Sequence, residues 1–117
     1  MFEQRPDWCI VCEVSDGVEA IRKSRELHPD LILLDVGLPR INGIEAARRI
    51  RVAAPNSRIL FWSVLSCVDV AEEALRTGAQ GYLLKYDAAH DLIPAIENVL
   101  ADRRFVSDGL LHGNLEP

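Results

Sequence analysis

No apolar stretch in the 117-residue sequence is long enough to cross a bilayer, and nothing at its amino end has a signal-peptide pattern. The reading is therefore of a protein from the reducing cytoplasm, away from membranes. Basic charge is scarce: 13 Lys and Arg against 18 Asp and Glu leave a net charge of −5. That balance argues against direct nucleic-acid binding, which needs a surplus of Lys and Arg to neutralise phosphates. Arg48, Arg49 and Arg51 do cluster, but on a helix whose Ile44, Ala47 and Ile50 face elsewhere, so they read as a solvated face. Cysteine is scarce too, with three residues. Cys9 and Cys12 form a C-x-x-C pair inside a strand-like stretch, where positions three apart point to opposite faces. No second Cys or His pair lies nearby to complete a zinc site, so both are expected to be small core residues. Internal repeats and low-complexity segments are absent.

What is present is a single domain's worth of chain, large enough to bury a core without disulfides. It is built as four strand-then-helix units. Residues 8–14 read as a strand and 17–28 as a helix, stopped at His28-Pro29 because Pro biases its predecessor away from the helical region. The run Leu31-Ile32-Leu33-Leu34-Asp35 is apolar without alternation, which suits a strand buried on both faces. A helix over 43–53 follows, closed off by Pro55. The third unit pairs the strand 58–63 with a helix over 68–77, for which Gly78 is the expected left-handed cap. The last unit pairs the strand 81–85 with a helix carrying Leu92, Ile93, Ile96, Val99 and Leu100. Pro94 requires that helix either to start near Asp91 or to bend. Periodicity fades after Phe105, so a domain over 1–109 and a loose tail over 110–117 are expected. Strands alternating with helices of this size argue a parallel α/β sheet with right-handed crossovers.

In such sheets ligands bind beyond the carboxyl ends of the strands. Asp35, Ser63 and Lys85 all fall at such ends. A carboxylate can attack a phosphoryl group, a hydroxyl can donate to a phosphoryl oxygen, and a Lys can neutralise its charge. Individually each residue also suits a turn or a strand end; the combination is informative.

From Asp7 to Gly109 the chain resembles the receiver domains of bacterial two-component response regulators, of the kind attached to helix-turn-helix transcription factors. The resemblance is carried by Pro29-Asp30-Leu31-Ile32-Leu33-Leu34-Asp35, Leu38-Pro39 with Asn42-Gly43, Ile59-Leu60-Phe61-Trp62-Ser63, and Gly78-Ala79-Gln80-Gly81-Tyr82-Leu83-Leu84-Lys85. It implies a doubly wound, flavodoxin-like fold and a signalling role rather than that of an enzyme. By it, Asp35 matches the phosphoacceptor, Ser63 the switch hydroxyl, Lys85 the invariant lysine and Tyr82 the switch aromatic, with a sensor histidine kinase as phosphoryl donor. It also implies Mg²⁺, held by Asp35 and the backbone carbonyl of Gly37 together with an acidic pair. Tyr86 stands where many relatives have proline.

The unit expected to carry that acidic pair is not found. The first strand in this sequence already matches the family's second, and only Met1 to Asp7 precede Trp8. Three expectations follow. Mg²⁺ binding and Mg²⁺-dependent phosphorylation should be weak, because Asp35 and one carbonyl are a poor site for an ion that wants octahedral oxygen coordination. The fold should be truncated to about four strands and four helices. The central gap left in the family's 2-1-3-4-5 order must close, since orphaned backbone groups cost about 1–3 kcal/mol each. Either the two flanking strands pair directly, giving four strands, or a second chain fills the seam as a homodimer. Two alternatives stand beside the receiver reading: a degenerate receiver acting only as an interaction or dimerisation module, and a phosphohydrolase of the haloacid dehalogenase type. The second would want an Asp two residues after the nucleophile, where this chain has Gly37.

Overall fold

The computed structural model describes residues 8–11 and 14–111. Among them, five strands form one parallel sheet in the order β1-β2-β3-β4-β5: β1 (Ile10–Val11), β2 (Leu31–Asp35), β3 (Arg58–Ser63), β4 (Gly81–Leu84) and β5 (Phe105–Val106). The helices are α1 (Gly17–Leu27), α2 (Gly43–Ala53), α3 (Val68–Leu75), α4 (Ala88–Leu100) and a short α5 (Asp108–Leu111), with a 3₁₀ turn over Lys85–Asp87.

Strand alternation divides the core in two. Ile32, Leu34, Ile59, Phe61, Tyr82 and Leu84 meet the small residues of α1, α2 and α3, such as Ala20, Ala46, Ala47, Ala71 and Ala74. On the opposite face Leu31, Leu33, Leu60 and Leu83 lie under Ala95, Ile96 and Val99 of α4. Both faces of β2 are covered, which is why its sequence is apolar throughout rather than alternating. Side-chain caps set the helix starts: Asp16 accepts from the Glu19 N–H at 2.8 Å and Asn42 from the Glu45 N–H at 3.0 Å. His28 ends α1 in the left-handed region, at φ 43°.

The seam closes by direct pairing of β1 with β2, Ile10 opposite Leu31 and Val11 opposite Ile32, so the sheet needs no second chain. The expectation of four strands is corrected to five. Phe105 and Val106 pair with Gly81 and Tyr82 of β4. Ser107 then fixes the segment from both of its polar groups, its N–H donating to the Tyr82 carbonyl at 3.1 Å and its Oγ accepting from the Leu84 N–H at 2.8 Å. Leu110 is fully buried in the core under α1 to α3, so the packed core reaches one residue past the boundary expected at 109. Residues 112–117 lie outside the described residues.

Three smaller expectations also change. Cys9 is exposed instead of in the core, because it precedes β1 at the sheet edge, where its N–H donates to Asp30 Oδ2 at 2.8 Å; Cys12 lies outside the described residues. The third helix stops at Leu75, two residues early, and Gly78 takes φ 97° in the turn beyond it. Finally, α4 starts at Ala88, which puts Pro94 inside it. Pro94 faces solvent and its carbonyl accepts from the Asn98 side-chain amide at 2.8 Å, so the bond lost at its ring nitrogen falls on the wet side of the helix. Arg48 and Arg49 pair with Glu45, as a solvated helix face should.

Candidate functional site

β2, β3 and β4 end side by side and the site is built there: Asp35 ends β2, Trp62 and Ser63 end β3, and Lys85, expected as the last residue of a strand over 81–85, opens the 3₁₀ turn that follows β4 at Leu84. Asp35 lies in register with Trp62, and Ser63 with Leu84. The Asp35 side chain, about one-third exposed, has both oxygens engaged. Oδ1 accepts from the Gly37 N–H at 2.8 Å, the i to i+2 turn that Asp favours, and Oδ2 accepts from Lys85 Nζ at 2.6 Å. Asp35 therefore shapes its turn and faces a cation at once. Lys85 Nζ also sits 4.9 Å from the centre of the Trp62 ring.

These three side chains line one cavity of about 540 Å³, together with Val14, Ser15, Glu19, Leu33 and Leu38. The loop that carries Asp35 into it is anchored at two points. Gly43, the first residue of α2, donates its N–H to the Val36 carbonyl at 2.9 Å. Arg40 pairs with Asp16 at the start of α1, Nη2 to Oδ2 at 2.9 Å.

Of the residues singled out in the sequence, Asp35 and Lys85 are in direct contact. Ser63 shares the edge but its hydroxyl accepts from the Leu65 N–H at 3.0 Å. Tyr82 is fully buried and donates its hydroxyl to the Leu65 carbonyl at 2.9 Å. Burial pushes the Tyr82 phenol above its ordinary value, a Ser63 hydrogen bond pulls the other way, and the charge of Asp35 adds to the rise. Ser63, Leu65 and Tyr82 thus form a second, linked cluster behind the Asp35–Lys85 pair.

Glu19 and Trp62 were not singled out from the sequence. The capping pattern Asp16-x-x-Glu19 was a signal for the first, and the strand period, which places Trp62 on the same sheet face as Leu60, was a signal for the second. Glu19 is committed to its own helix end: the Ser15 N–H and hydroxyl bind its carboxylate and hold it below the usual range. Among the described residues no group of three or more His, Cys, Asp and Glu side chains is placed to hold a metal. Asp35 is occupied by Gly37 and Lys85, and Glu19 by Ser15, so this donor set does not fit the octahedral oxygen site of Mg²⁺.

A parallel sheet with an acid and a lysine paired across its carboxyl edge, and Gly37 where a phosphohydrolase would want a second Asp, fits a receiver-type signalling domain. Residues 1–97 match the family model of the response regulator receiver domain, and the chain belongs to that family. It is 36% identical over 110 residues to the nitrate/nitrite response regulator protein NarL of Escherichia coli K12, covering 94% of this chain and 51% of NarL. It is 40% identical over 96 residues to the uncharacterized transcriptional regulatory protein YxjL of Bacillus subtilis 168, covering 82% of this chain and 44% of that one. The chain thus spans about half the length of the curated relatives it matches. Among solved structures, a LuxR-family two-component response regulator from Aurantimonas sp. SI85-9A1 superposes with a TM-score of 0.84 at 38% identity, over 95% of this chain and 79% of that one. No helix among the described residues is long and apolar enough to cross a membrane.

Proposed function

We propose that Asp35 accepts a phosphoryl group from a phosphohistidine of a sensor histidine kinase, in a transfer slowed because the described residues offer no fitting metal site. The observation that carries this reading is the 2.6 Å contact of Lys85 with Asp35 at the carboxyl edge of the sheet. An Asp35 oxygen attacks phosphorus, the P–N bond breaks, and its electron pair leaves on the imidazole, giving an acyl phosphate on Asp35. Lys85 keeps its proton and neutralises the incoming charge. Ser63 leaves the Leu65 N–H to donate to a phosphoryl oxygen, and that movement reaches Tyr82 through the Leu65 carbonyl. Phosphoryl transfer depends almost wholly on charge stabilisation and positioning, so one lysine gives a working but slow acceptor.

Intact mass after incubation with acetyl phosphate, with and without Mg²⁺, tests it. The expected result is partial addition of one phosphoryl group, mapped to Asp35, with little response to Mg²⁺. Complete Mg²⁺-dependent addition would remove the slow transfer from the proposal, and no adduct at Asp35 would remove the acceptor.

Pairing of β1 with β2 closes the sheet, but exposed apolar residues remain at the site's edge. Val64, Leu65 and Tyr86 are 68%, 42% and 69% exposed and follow the ends of β3 and β4. The proposal includes a homodimer through this face, since apolar groups gathered at one edge mark an interaction surface. Light scattering behind a sizing column should give a dimer mass at micromolar concentration and a monomer mass for Tyr86→Asp. A monomer for the wild type at that concentration counts against the dimer.

A further inference from the structure

We infer that Trp62 is a positioning residue: its indole face holds the Lys85 ammonium against Asp35. Sheet register places the three groups together. Trp62 is the cross-strand partner of Asp35 on one side and of Leu83 on the other, and Lys85 opens the 3₁₀ turn directly after β4, from which its ammonium comes over the Trp62 ring. The ring is anchored from behind, where it packs against the cluster formed by Leu31, Leu33, Leu60, Leu83 and α4, while its free side lines the cavity that contains Asp35. Lys85 Nζ lies 4.9 Å from the ring centre and 2.6 Å from Asp35 Oδ2, so the ammonium is held from two directions.

The arrangement answers a physical difficulty of the site. Lysine carries its charge on a four-carbon stem with large rotamer freedom, and an ion pair about one-third exposed is too weak to confine it. Indole is the strongest aromatic partner for a cation and attracts it over its whole face. The ammonium can therefore move a short way across the ring, from the carboxylate toward a group added to it, and keep the contact. This last consequence rests on the acyl-phosphate reading of Asp35; the positioning itself does not.

Two measurements separate the parts. The chain has two lysines, Lys23 and Lys85. In acylation by an N-hydroxysuccinimide ester followed by mass spectrometry, Trp62→Leu is expected to raise labelling at Lys85 relative to Lys23 about threefold, the scale of a partly exposed cation–π contact. Trp62→Phe, which keeps an aromatic face, is expected to stay near wild type. Equal relative labelling in wild type and Trp62→Leu, or Phe behaving like Leu, would overturn the inference. Because Trp62→Leu removes core volume, a second arm leaves Trp62 in place. In a Trp8→Phe background, where Trp62 is the only tryptophan, Lys85→Met is expected to change the Trp62 emission, and an unchanged spectrum would overturn the inference. Neither readout needs a phosphoryl group, so loss of the acceptor reading and loss of the positioning reading are told apart.

Discussion

A Lys85→Met variant is expected to take up phosphoryl from acetyl phosphate at least about tenfold more slowly than wild type and to melt within a few degrees of it. The two halves of this result have different causes. Among the described residues Lys85 is the only cation in contact with Asp35, so Met leaves the charge of the transferring group to solvent, the Ser63 hydroxyl and the Gly37 N–H. Removing one donor from a preorganised anion site costs about 10²–10³ in rate in water-excluded enzymes. This edge is partly wet, so the loss falls below that range, to about tenfold or somewhat more. Stability answers to a weaker term: an ion pair about one-third exposed contributes roughly 0–1 kcal/mol, and Met keeps most of the apolar stem against Trp62. Time courses of intact mass, with Asp35→Asn as the blank, and thermal melts by circular dichroism measure the two halves. A labelling rate within twofold of wild type would show that Lys85 does not act on the transferring group. A large fall in melting temperature would show that its role is structural. Lys85→Arg should not restore the rate, because a longer side chain with its charge spread over a planar fork cannot put a compact point charge where the ammonium meets Asp35.

The parts of the fold that could be read from sequence are those where one periodicity had one explanation. Leu31-Ile32-Leu33-Leu34 is too short for a typical helix and too apolar for an exposed strand, and it lies in the sheet as expected. α1 and α2 start at Gly17 and Gly43 as expected, and the structure shows why such starts are readable: the caps made by Asp16 and Asn42 are local and need no tertiary context. Strand order was harder, because a buried strand does not state its neighbours; direct pairing of β1 with β2 was one of two ways to close the seam.

Phe105–Val106 was missed for a physical reason. Two residues carry no period, and their connection breaks the rule a reader would apply. The strands advance in one direction from β1 to β5, yet α1 to α3 cover one face and α4 the other, so the last crossover has the opposite hand to the first three. About 98% of full crossovers share a single hand. Here the exception is a two-residue strand held as much by Ser107 and Leu110 as by its own ladder. At the site, Asp35 and Lys85 were legible because each chemical type is unusual at the end of an apolar strand. Trp62 was not, because an aromatic in a strand ordinarily signifies packing, and only the cross-strand register shows what lies over its face.

Gly43→Ala is expected to lower the melting temperature by about 10 °C, whereas Gly37→Ala, six residues away in the same loop, should hold or slightly raise it. An added Cβ at Gly43 would lie 2.1 Å from the Asp35 carbonyl oxygen, 2.8 Å from its carbon and 2.9 Å from the Val36 Cα. All three are backbone atoms at the end of a central strand, with no side chain that could swing aside. α2 must therefore move off β2, and the Gly43 N–H bond to the Val36 carbonyl is stretched with it. Overpacking costs about 1–3 kcal/mol and occasionally more; a 2.1 Å overlap with backbone belongs at or above the top of that range, so about 2–3 kcal/mol is left after the roughly 1 kcal/mol that Ala gains over Gly in a helix, and steric strain decides the sign. At about 4 °C per kcal/mol for a domain of this size, the shift is about 10 °C. Gly37 differs on both counts. Its Cβ would make an ordinary contact with Asp35 Oδ1 at 3.6 Å, and Gly37 is not among the positive-φ glycines. Ala there restricts the unfolded chain, a gain of about 0.4–1 kcal/mol where the native conformation is compatible. Paired melts of the two variants read the difference directly, and a fall for Gly37→Ala equal to that for Gly43→Ala would place the strain in the loop as a whole rather than at the helix–strand contact. Labelling by acetyl phosphate should follow the same order, since the atom that Gly43→Ala displaces is the carbonyl of Asp35 itself.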